Sequence, residues 1–250
     1  MTTFHTKEIL RVLTGSRAHL THREDSDWDY RGVYVSATRD LVCPNFTLND
    51  KGRVHTAQPK GTSWIEGQEV DSTTWEVGNY LKLAVQSNPT ILEVLVSPMV
   101  NFTEWGRCLR ELFPHVWSSD RVYLAFGGYA HNQRKKLLDH KLDEDEDFRL
   151  TARRRMKFAV AWLRVLTQGI TLLKTGVLPV PLPEHEREKI TEVQNGRWTV
   201  GQIVDWGRDL LDEMAAARKQ CDKRVDPEPI NGFMADIRQA HWTTQGDGDA

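Results

Sequence analysis

Two short segments with the pattern of β-strands, joined by a glycine turn and a polar stretch, constrain the fold of this chain more than any other feature. Residues 9–13 are largely apolar and are followed by Gly15, as in a buried strand that ends in a turn. Residues 26–35 alternate at their start, so Asp27 and Asp29 fall on one face of a second strand. The front of the chain is therefore predicted to build a β-sheet.

The later part of the second strand leaves two interpretations open. Val33 and Val35 have the same parity as the two carboxylates. Either that face of the strand becomes apolar further along, or Gly32 marks a β-bulge that changes the parity.

The rest of the first hundred residues mixes loops with short elements. Residues 36–68 are polar and rich in turn-forming residues, so we expect a long loop with short strands there. A third short strand is predicted at residues 70–74 and a helix at 75–86. Residues 91–96 are apolar and are consistent with either a short helix or a strand.

From residue 103 onward the apolar residues recur with the period of a helix. The predicted helices are residues 103–112, 119–139, 150–173 and 199–218. The predicted architecture is an α+β fold. It has a sheet with flanking helices in residues 1–100, an α-helical region in 101–243 and a flexible tail in 244–250.

Composition narrows the functional classes. The formal net charge is −2, so the chain carries no overall positive field for nucleic acid. The three cysteines, Cys43, Cys108 and Cys221, lack the spacing of a zinc site and are predicted to be free thiols in a reducing compartment. The sequence shows neither an apolar signal segment nor a run of about 18 apolar residues, so we expect a cytoplasmic protein that does not bind membranes.

The carboxylates and the glycine turn together have the chemistry of a phosphate-transfer site. Two carboxylates on one strand face repel each other unless a cation lies between them, and Mg²⁺ prefers such oxygen ligands. A turn at Gly15 that leads into a helix exposes backbone N–H groups to phosphate, and the Ser16 hydroxyl adds a donor. Singly, each feature also has an ordinary structural explanation: a solvated strand face for Asp27 and Asp29, and a turn for the glycine and serine.

The order of these residues resembles one family. Residues 15–18 (GSRA), followed by residues 25–34 (DSDWDYRGVY), are similar to the motif GSxAYG then SDxDxRGVY. That motif belongs to predicted bacterial and phage nucleotidyltransferases of the DNA polymerase beta superfamily. The resemblance implies a polymerase-beta-like fold and two divalent ions, Mg²⁺ or Mn²⁺, bound by Asp27 and Asp29.

The same resemblance assigns the phosphate-binding residues. It implies that Gly15 and Ser16 hold the triphosphate of a nucleoside triphosphate such as ATP. Arg17, Arg23 and Arg31 lie close by in sequence, and we expect them to pair with phosphate oxygens.

The superfamily also uses a third carboxylate on a neighbouring strand, just before a helix. Asp71 is the best match, and the resemblance implies that it binds the catalytic metal and accepts the proton of the acceptor hydroxyl. Glu69 is the alternative, because residues i and i+2 of a strand share a face. Asp71 also has an ordinary explanation as a carboxylate near a helix N-terminus. Residues 88–95 (NPTILEVL) resemble a further segment of the narrower family, NPTxLELL.

The back half resembles the helical part of that family. Lys157 and Arg164 are candidates for contacting the nucleotide or the acceptor, although a solvated helix face explains them equally well. Two positions depart from the family pattern. Leu20 replaces a common glycine, and Ala161 replaces a common histidine, which removes any role for a histidine there.

Other charged features have two interpretations each. The basic clusters at residues 134–136 and 153–155 form a patch for an RNA or DNA acceptor, or they balance the acidic run at residues 143–147 between them. His19 and His22 lie beside the glycine turn, and we expect neutral surface histidines rather than phosphate ligands.

The sequence thus predicts a metal-dependent nucleotidyltransferase. It moves a nucleoside monophosphate from a nucleoside triphosphate to a hydroxyl or phosphate acceptor and releases pyrophosphate. RNA, such as a tRNA end, and a protein side chain remain alternative acceptors. The alternative from another class is a non-catalytic regulatory protein that binds nucleotide or nucleic acid on the same fold.

Overall fold

A mixed five-stranded sheet forms the front of the molecule. This computed structural model describes residues 6–24, 26–42, 60–65, 68–139 and 148–242. The strands are β1 (Thr6–Thr14), β2 (Trp28–Ser36), β3 (Lys60–Ile65), β4 (Gln68–Glu76) and β5 (Met99–Phe102). Their order is β3-β4-β2-β1-β5, with β2 and β4 parallel and the other neighbours antiparallel. The sheet and the helices that follow it confirm the predicted α+β fold.

The register of β2 decides between the two interpretations of its apolar end. β2 pairs with β4 without interruption through Gly32, so no bulge lies there. The irregularity is instead in β1, between Glu8 and Leu10. Val33 and Val35 are fully buried, so the face that carries Asp29 becomes apolar further along the strand.

Four short helices accompany the sheet: α1 (Gly15–Ala18), α2 (Thr38–Val42), α3 (Val77–Ala84) and α4 (Pro89–Val96). The Glu76 carboxylate starts α3 by accepting a hydrogen bond from the Gly78 N–H. The Asn88 side chain accepts from the Thr90 N–H, and Pro89 occupies the first turn of α4, so residues 91–96 are helical. Within the predicted long loop the structure contains α2 and β3, and residues 43–59 lie outside its described part.

The helical region contains α5 (Glu104–Glu111), a 3₁₀ turn (Phe113–His115), α6 (Ser119–Leu137), α7 (Phe148–Thr175), α8 (Glu184–Gln194), α9 (Val200–Gln220) and α10 (Pro227–Ala240). The sequence pattern predicts α5, α6, α7 and α9 but not α8 and α10. In α8 only Ile190 and Val193 are buried, which leaves little helical periodicity to detect. The start of α10 carries the expected signals, since Asp226 caps the helix and Pro227 follows it.

One apolar core runs from the sheet through the helices. The expected boundary between residues 100 and 101 falls inside β5, which pairs with β1. The tail predicted at residues 244–250 lies outside the described residues.

Helix α7 is at the centre of this core and packs against α6, α8 and α9. By length and composition alone, its segment Ala152–Thr175 is apolar enough to cross a membrane, with a mean hydropathy of 1.2. This differs from the expectation that no segment would qualify. However, 61% of that window is buried inside the protein, as in a core helix.

Candidate active site

The turn between β1 and α1 brings a glycine against a carboxylate. Thr14 pairs with Asp29 across the two strands, so the turn begins beside that aspartate. Gly15 has a φ of +67°, and a Cβ built on it would overlap the Oδ2 atom of Asp29. Both the backbone conformation and the close approach therefore require glycine at this position.

A cleft of about 520 Å³ opens beside this turn. Its first wall comes from the α1 turn and the loop that leads into β2, and is called the sheet wall below. The residues of this wall are Ser16, Thr21, Arg23, Ser26, Asp27 and Asp29. Asp27 and Asp29 thus line the same cleft, although β2 begins at Trp28 and Asp27 lies in the loop just before it, not within the strand as expected.

The opposite wall is one face of α7, called the helix wall below. Its residues recur every three or four positions: Arg153, Arg154, Met156, Lys157, Val160, Ala161 and Arg164. At 1.5 Å per residue they span roughly 16 Å along the helix axis. Gln194, the last residue of α8, completes the lining. The structure therefore brings Lys157 and Arg164 to the same cleft as Asp27, Asp29 and Ser16.

The structure places Arg17 and Arg31, two predicted phosphate ligands, outside the cleft lining. The Arg17 guanidinium donates to the Ser26 carbonyl at 2.8 Å and lies 4.1 Å from the centre of the Trp28 ring. Arg31 lies over the Trp75 ring at 5.9 Å. These contacts hold the loop and the sheet together.

The backbone shows where Asp71, the predicted third carboxylate, lies in the sheet. Asp71 pairs in register with Asp29 on the neighbouring parallel strand, so it occupies the adjacent position in the sheet. The side chains of Asp71 and Glu69 lie outside the described part of the molecule. Among the side chains that are described, no group of three or more histidines, cysteines or carboxylates forms a metal site.

The donor atoms of the sheet wall fit a divalent metal. Asp27, Asp29 and Ser16 all line the cleft, and their side chains carry carboxylate and hydroxyl oxygens. These are the hard oxygen ligands that Mg²⁺ and Mn²⁺ prefer.

A buried pair behind the cleft corrects the prediction for His19. Instead of a surface histidine, its side chain is 1% exposed, and its Nε2 lies 2.6 Å from Oε1 of the buried Glu93. His22 is exposed, as expected. Glu93 belongs to the otherwise apolar helix α4, and a lone carboxylate there was the sequence signal for a buried partner.

The charges of this pair extend to Arg164. Burial lowers the pKa of His19, and the positive charge of Arg164 lowers it further, against the opposing effect of Glu93. At neutral pH His19 is therefore neutral and donates its Nε2–H to Glu93. Burial alone would raise the pKa of Glu93, but His19, Arg164 and Arg31 lower it to about 2. Glu93 is thus an ionised internal partner for a cleft-lining arginine.

The two departures from the family pattern are both placed by the structure. Leu20 has a φ of +56°, the left-handed region that favours glycine, which explains why glycine is common there. Ala161 lines the cleft, so its small side chain leaves space on the helix wall where the family commonly has a histidine.

The comparisons with known proteins concern nearly the whole chain. The model of a family described as "RlaP: RNA repair pathway DNA polymerase beta family" matches residues 2–226. A solved structure of a nucleotidyltransferase-like protein from Exiguobacterium sibiricum 255-15 is similar with a TM-score of 0.31 and 8% sequence identity, covering 93% of this chain and 74% of that one. No curated protein matches the sequence.

Proposed function

We propose that this chain, which belongs to the RNA repair pathway DNA polymerase beta family, transfers a nucleoside monophosphate from a nucleoside triphosphate to an acceptor and releases pyrophosphate. One observation carries the proposal. Asp29 is packed against Gly15 and shares with Asp27 a cleft whose opposite wall is cationic. Such a cleft has carboxylates for metal ions on one side and cations for phosphates on the other.

The reaction requires one bond to form and one to break. An oxygen of the acceptor hydroxyl or phosphate attacks the α-phosphorus, and the bond from that phosphorus to the oxygen bridging to the β-phosphate breaks. Pyrophosphate leaves with the electron pair. Where the acceptor is a hydroxyl, its proton passes to a carboxylate, and Asp71 takes this role by its resemblance to the superfamily.

The two walls of the cleft divide the remaining work. Asp27 and Asp29, with Asp71 paired in register with Asp29, would hold two Mg²⁺ or Mn²⁺ ions. When bound, such ions neutralise the charge that builds on the attacking and leaving oxygens. Ser16 and Arg164 orient the triphosphate from opposite sides, and Lys157 lies two turns along α7 from Arg164.

The test is transfer of label from α-labelled ATP, CTP, GTP and UTP, with Mg²⁺ or Mn²⁺, to total RNA and to cell protein. Asp29→Asn keeps the size of the side chain but removes its charge, and we expect it to reduce transfer at least about 100-fold. Asp212→Asn on α9 is the matched control, since Asp212 is exposed and lies outside the cleft.

The outcomes separate the functional classes. Label that moves to an acceptor in the native protein and in Asp212→Asn, but not in Asp29→Asn, supports nucleotidyl transfer. Nucleotide binding by the folded protein without transfer to RNA, protein or added small molecules would contradict it and favour the regulatory alternative. The RNA repair description of the family favours RNA over protein as the acceptor.

A further inference from the structure

The cleft concentrates positive charge in a chain that is slightly acidic overall. Its described lining contains five basic side chains and only two carboxylates, whereas the whole chain has a formal net charge of −2. The two carboxylates are the proposed metal ligands. Among the described lining residues, basic side chains therefore outnumber carboxylates, and such a lining attracts a polyanion.

These cations form two groups at different depths. Arg164 is partly buried, and its charge acts on the buried Glu93 carboxylate, so it marks the floor of the cleft. Arg153 and Arg154 lie three turns away on α7 and are exposed, so they mark its mouth. Lys157 is exposed and lies one turn from Arg153, and the uncharged Val160 and Ala161 separate it from Arg164.

A third mouth cation comes from the sheet wall. Arg23 is exposed and lines the cleft, and its Nη2 donates to the Gln194 carbonyl at 3.0 Å. This hydrogen bond ties the loop after α1 to the end of α8, so one edge of the guanidinium is fixed. Arg23, Arg153 and Arg154 together are called the mouth arginines below.

We infer that the mouth arginines bind the backbone phosphates of a single-stranded RNA, whose terminal nucleotide reaches the cleft as the acceptor. This inference rests on the proposed function, since it names the acceptor of that reaction. Guanidinium groups bind phosphate oxygens in two-point contacts, and such contacts position a strand without reading its sequence.

The dimensions of the cleft limit how the RNA enters. A volume of about 520 Å³ is that of a site for one small ligand. With the nucleotide substrate inside, the cleft therefore has room only for the reacting end of a strand at its mouth, and not for an internal stretch of duplex. The following phosphates of the strand then lie at the mouth, where the exposed arginines are.

Binding is tested without turnover, by fluorescence anisotropy of a labelled single-stranded RNA with EDTA present. Charge is removed in the double variant Arg153→Gln/Arg154→Gln and in Arg23→Gln. We expect the double variant to bind RNA about tenfold more weakly. In a plot of log affinity against log salt concentration, the slope for the double variant should be shallower by about two, which is about one for each lost phosphate contact.

Two controls separate the mouth from other cations. Arg208→Gln changes an exposed arginine of α9 outside the cleft and should leave RNA affinity unchanged. The mouth variants should bind ATP with Mg²⁺ as the native protein does, since Arg164 remains at the floor. Unfolding curves confirm that each variant is folded.

The results distinguish failure of this inference from failure of the proposed function. RNA affinity and salt dependence that stay at native values in both mouth variants would overturn the inference, even if label is transferred. Transfer to protein that is unaffected by the mouth variants would also overturn it. RNA binding that depends on the mouth arginines in a protein with no transferase activity would support it while the proposed reaction fails.

Discussion

The two walls of the cleft are built in different ways. On the sheet wall, Asp29 is positioned by its strand and by Gly15, which lies so close to the carboxylate that no side chain would fit at position 15. On the helix wall, Lys157 and Arg164 are long side chains placed only by how α7 packs. The wall with the proposed metal ligands is therefore fixed by the backbone, whereas the wall that attracts phosphate is held by tertiary packing.

One buried charge links the two walls. His19, which follows the glycine turn, is hydrogen-bonded to Glu93 of α4, and the charge of Arg164 on α7 lowers the pKa of the same carboxylate. In this network, the Glu93 carboxylate therefore interacts electrostatically with both walls. Substitutions on each wall and in the network should therefore differ in both the kind and the size of their effects.

The largest expected effect is that of Gly15→Ala on the sheet wall. The new methyl group would overlap Asp29, and the φ of +67° would cost an L-residue about 1–2 kcal/mol. A displacement of the carboxylate by about 1 Å is enough to reduce transfer roughly 100-fold. The label-transfer assay and urea unfolding measure the two effects.

Gly128→Ala is the matched control for that substitution. Gly128 lies within α6, and a Cβ there meets nothing within 4 Å. We expect unchanged transfer and a gain in unfolding free energy of about 0.5–1 kcal/mol, because alanine favours the helix. Equal transfer by the Gly15 and Gly128 variants would show that the sheet wall does not depend on this close contact.

On the helix wall, Arg164→Ala should weaken nucleotide binding rather than abolish the reaction. Loss of a charge-assisted contact with phosphate is expected to raise the KM for the nucleoside triphosphate about 10- to 100-fold. Steady-state kinetics at several nucleotide concentrations measure this.

Arg17→Ala sharpens the comparison, because the sequence motif predicts a phosphate ligand and the structure places Arg17 on Trp28 and Ser26. We expect the variant to lose about 1–3 kcal/mol of stability with little change in KM. A rise in KM as large as that of Arg164→Ala would instead support the sequence-based assignment.

The difference between the walls also explains what the sequence predicts. The strands, the turn and the closeness of Asp27 and Asp29 follow from spacings of a few residues, so a local pattern reveals them. The positive φ at Leu20 is also a local property, and it is consistent with the glycine that the family pattern commonly has at this position.

The missed features depend on contacts between distant segments. His19 and Glu93 are 74 positions apart, and neither position alone indicates the hydrogen bond between them. Arg153 and Arg154 were predicted as a basic cluster, but only the packing of α7 shows that they line the cleft. The acidic run at residues 143–147, their alternative partner, lies outside the described residues.

The network that joins the walls should have a moderate effect that depends on pH. Glu93→Gln keeps the shape of the side chain but removes the buried charge, and we expect a loss of roughly 1–3 kcal/mol in unfolding free energy at pH 7. The pKa of Glu93 is about 2 in the fold and 4.5 when exposed. Its ionised form therefore stabilises the fold above about pH 4.5, and this contribution is lost as the pH falls towards 2.

Urea unfolding of the native protein and Glu93→Gln at pH 7 and pH 3 measures this dependence. Because Glu93 raises the pKa of His19, Glu93→Gln also changes how His19 titrates below pH 6.5. His19→Gln and the double variant His19→Gln/Glu93→Gln are therefore measured in parallel, and the difference between these two proteins should shrink at pH 3. A difference that is the same at both values would mean that the charge of Glu93 does not stabilise the fold.

The smallest expected effect is a gain from Leu20→Gly, at the end of the turn on the sheet wall. The left-handed conformation costs leucine about 1–2 kcal/mol, and glycine removes this cost while adding about 0.5–1 kcal/mol of backbone entropy. Leu20 is 54% exposed, so little apolar contact is lost, and the net gain is about 0.5–1 kcal/mol.

Leu124→Gly is the control, since Leu124 is similarly exposed but lies within α6, where glycine should cost about 1 kcal/mol. Thermal unfolding of both variants therefore compares a backbone-strained position on the sheet wall with an unstrained helical one, and a loss of stability in both would show that Leu20 carries no such strain.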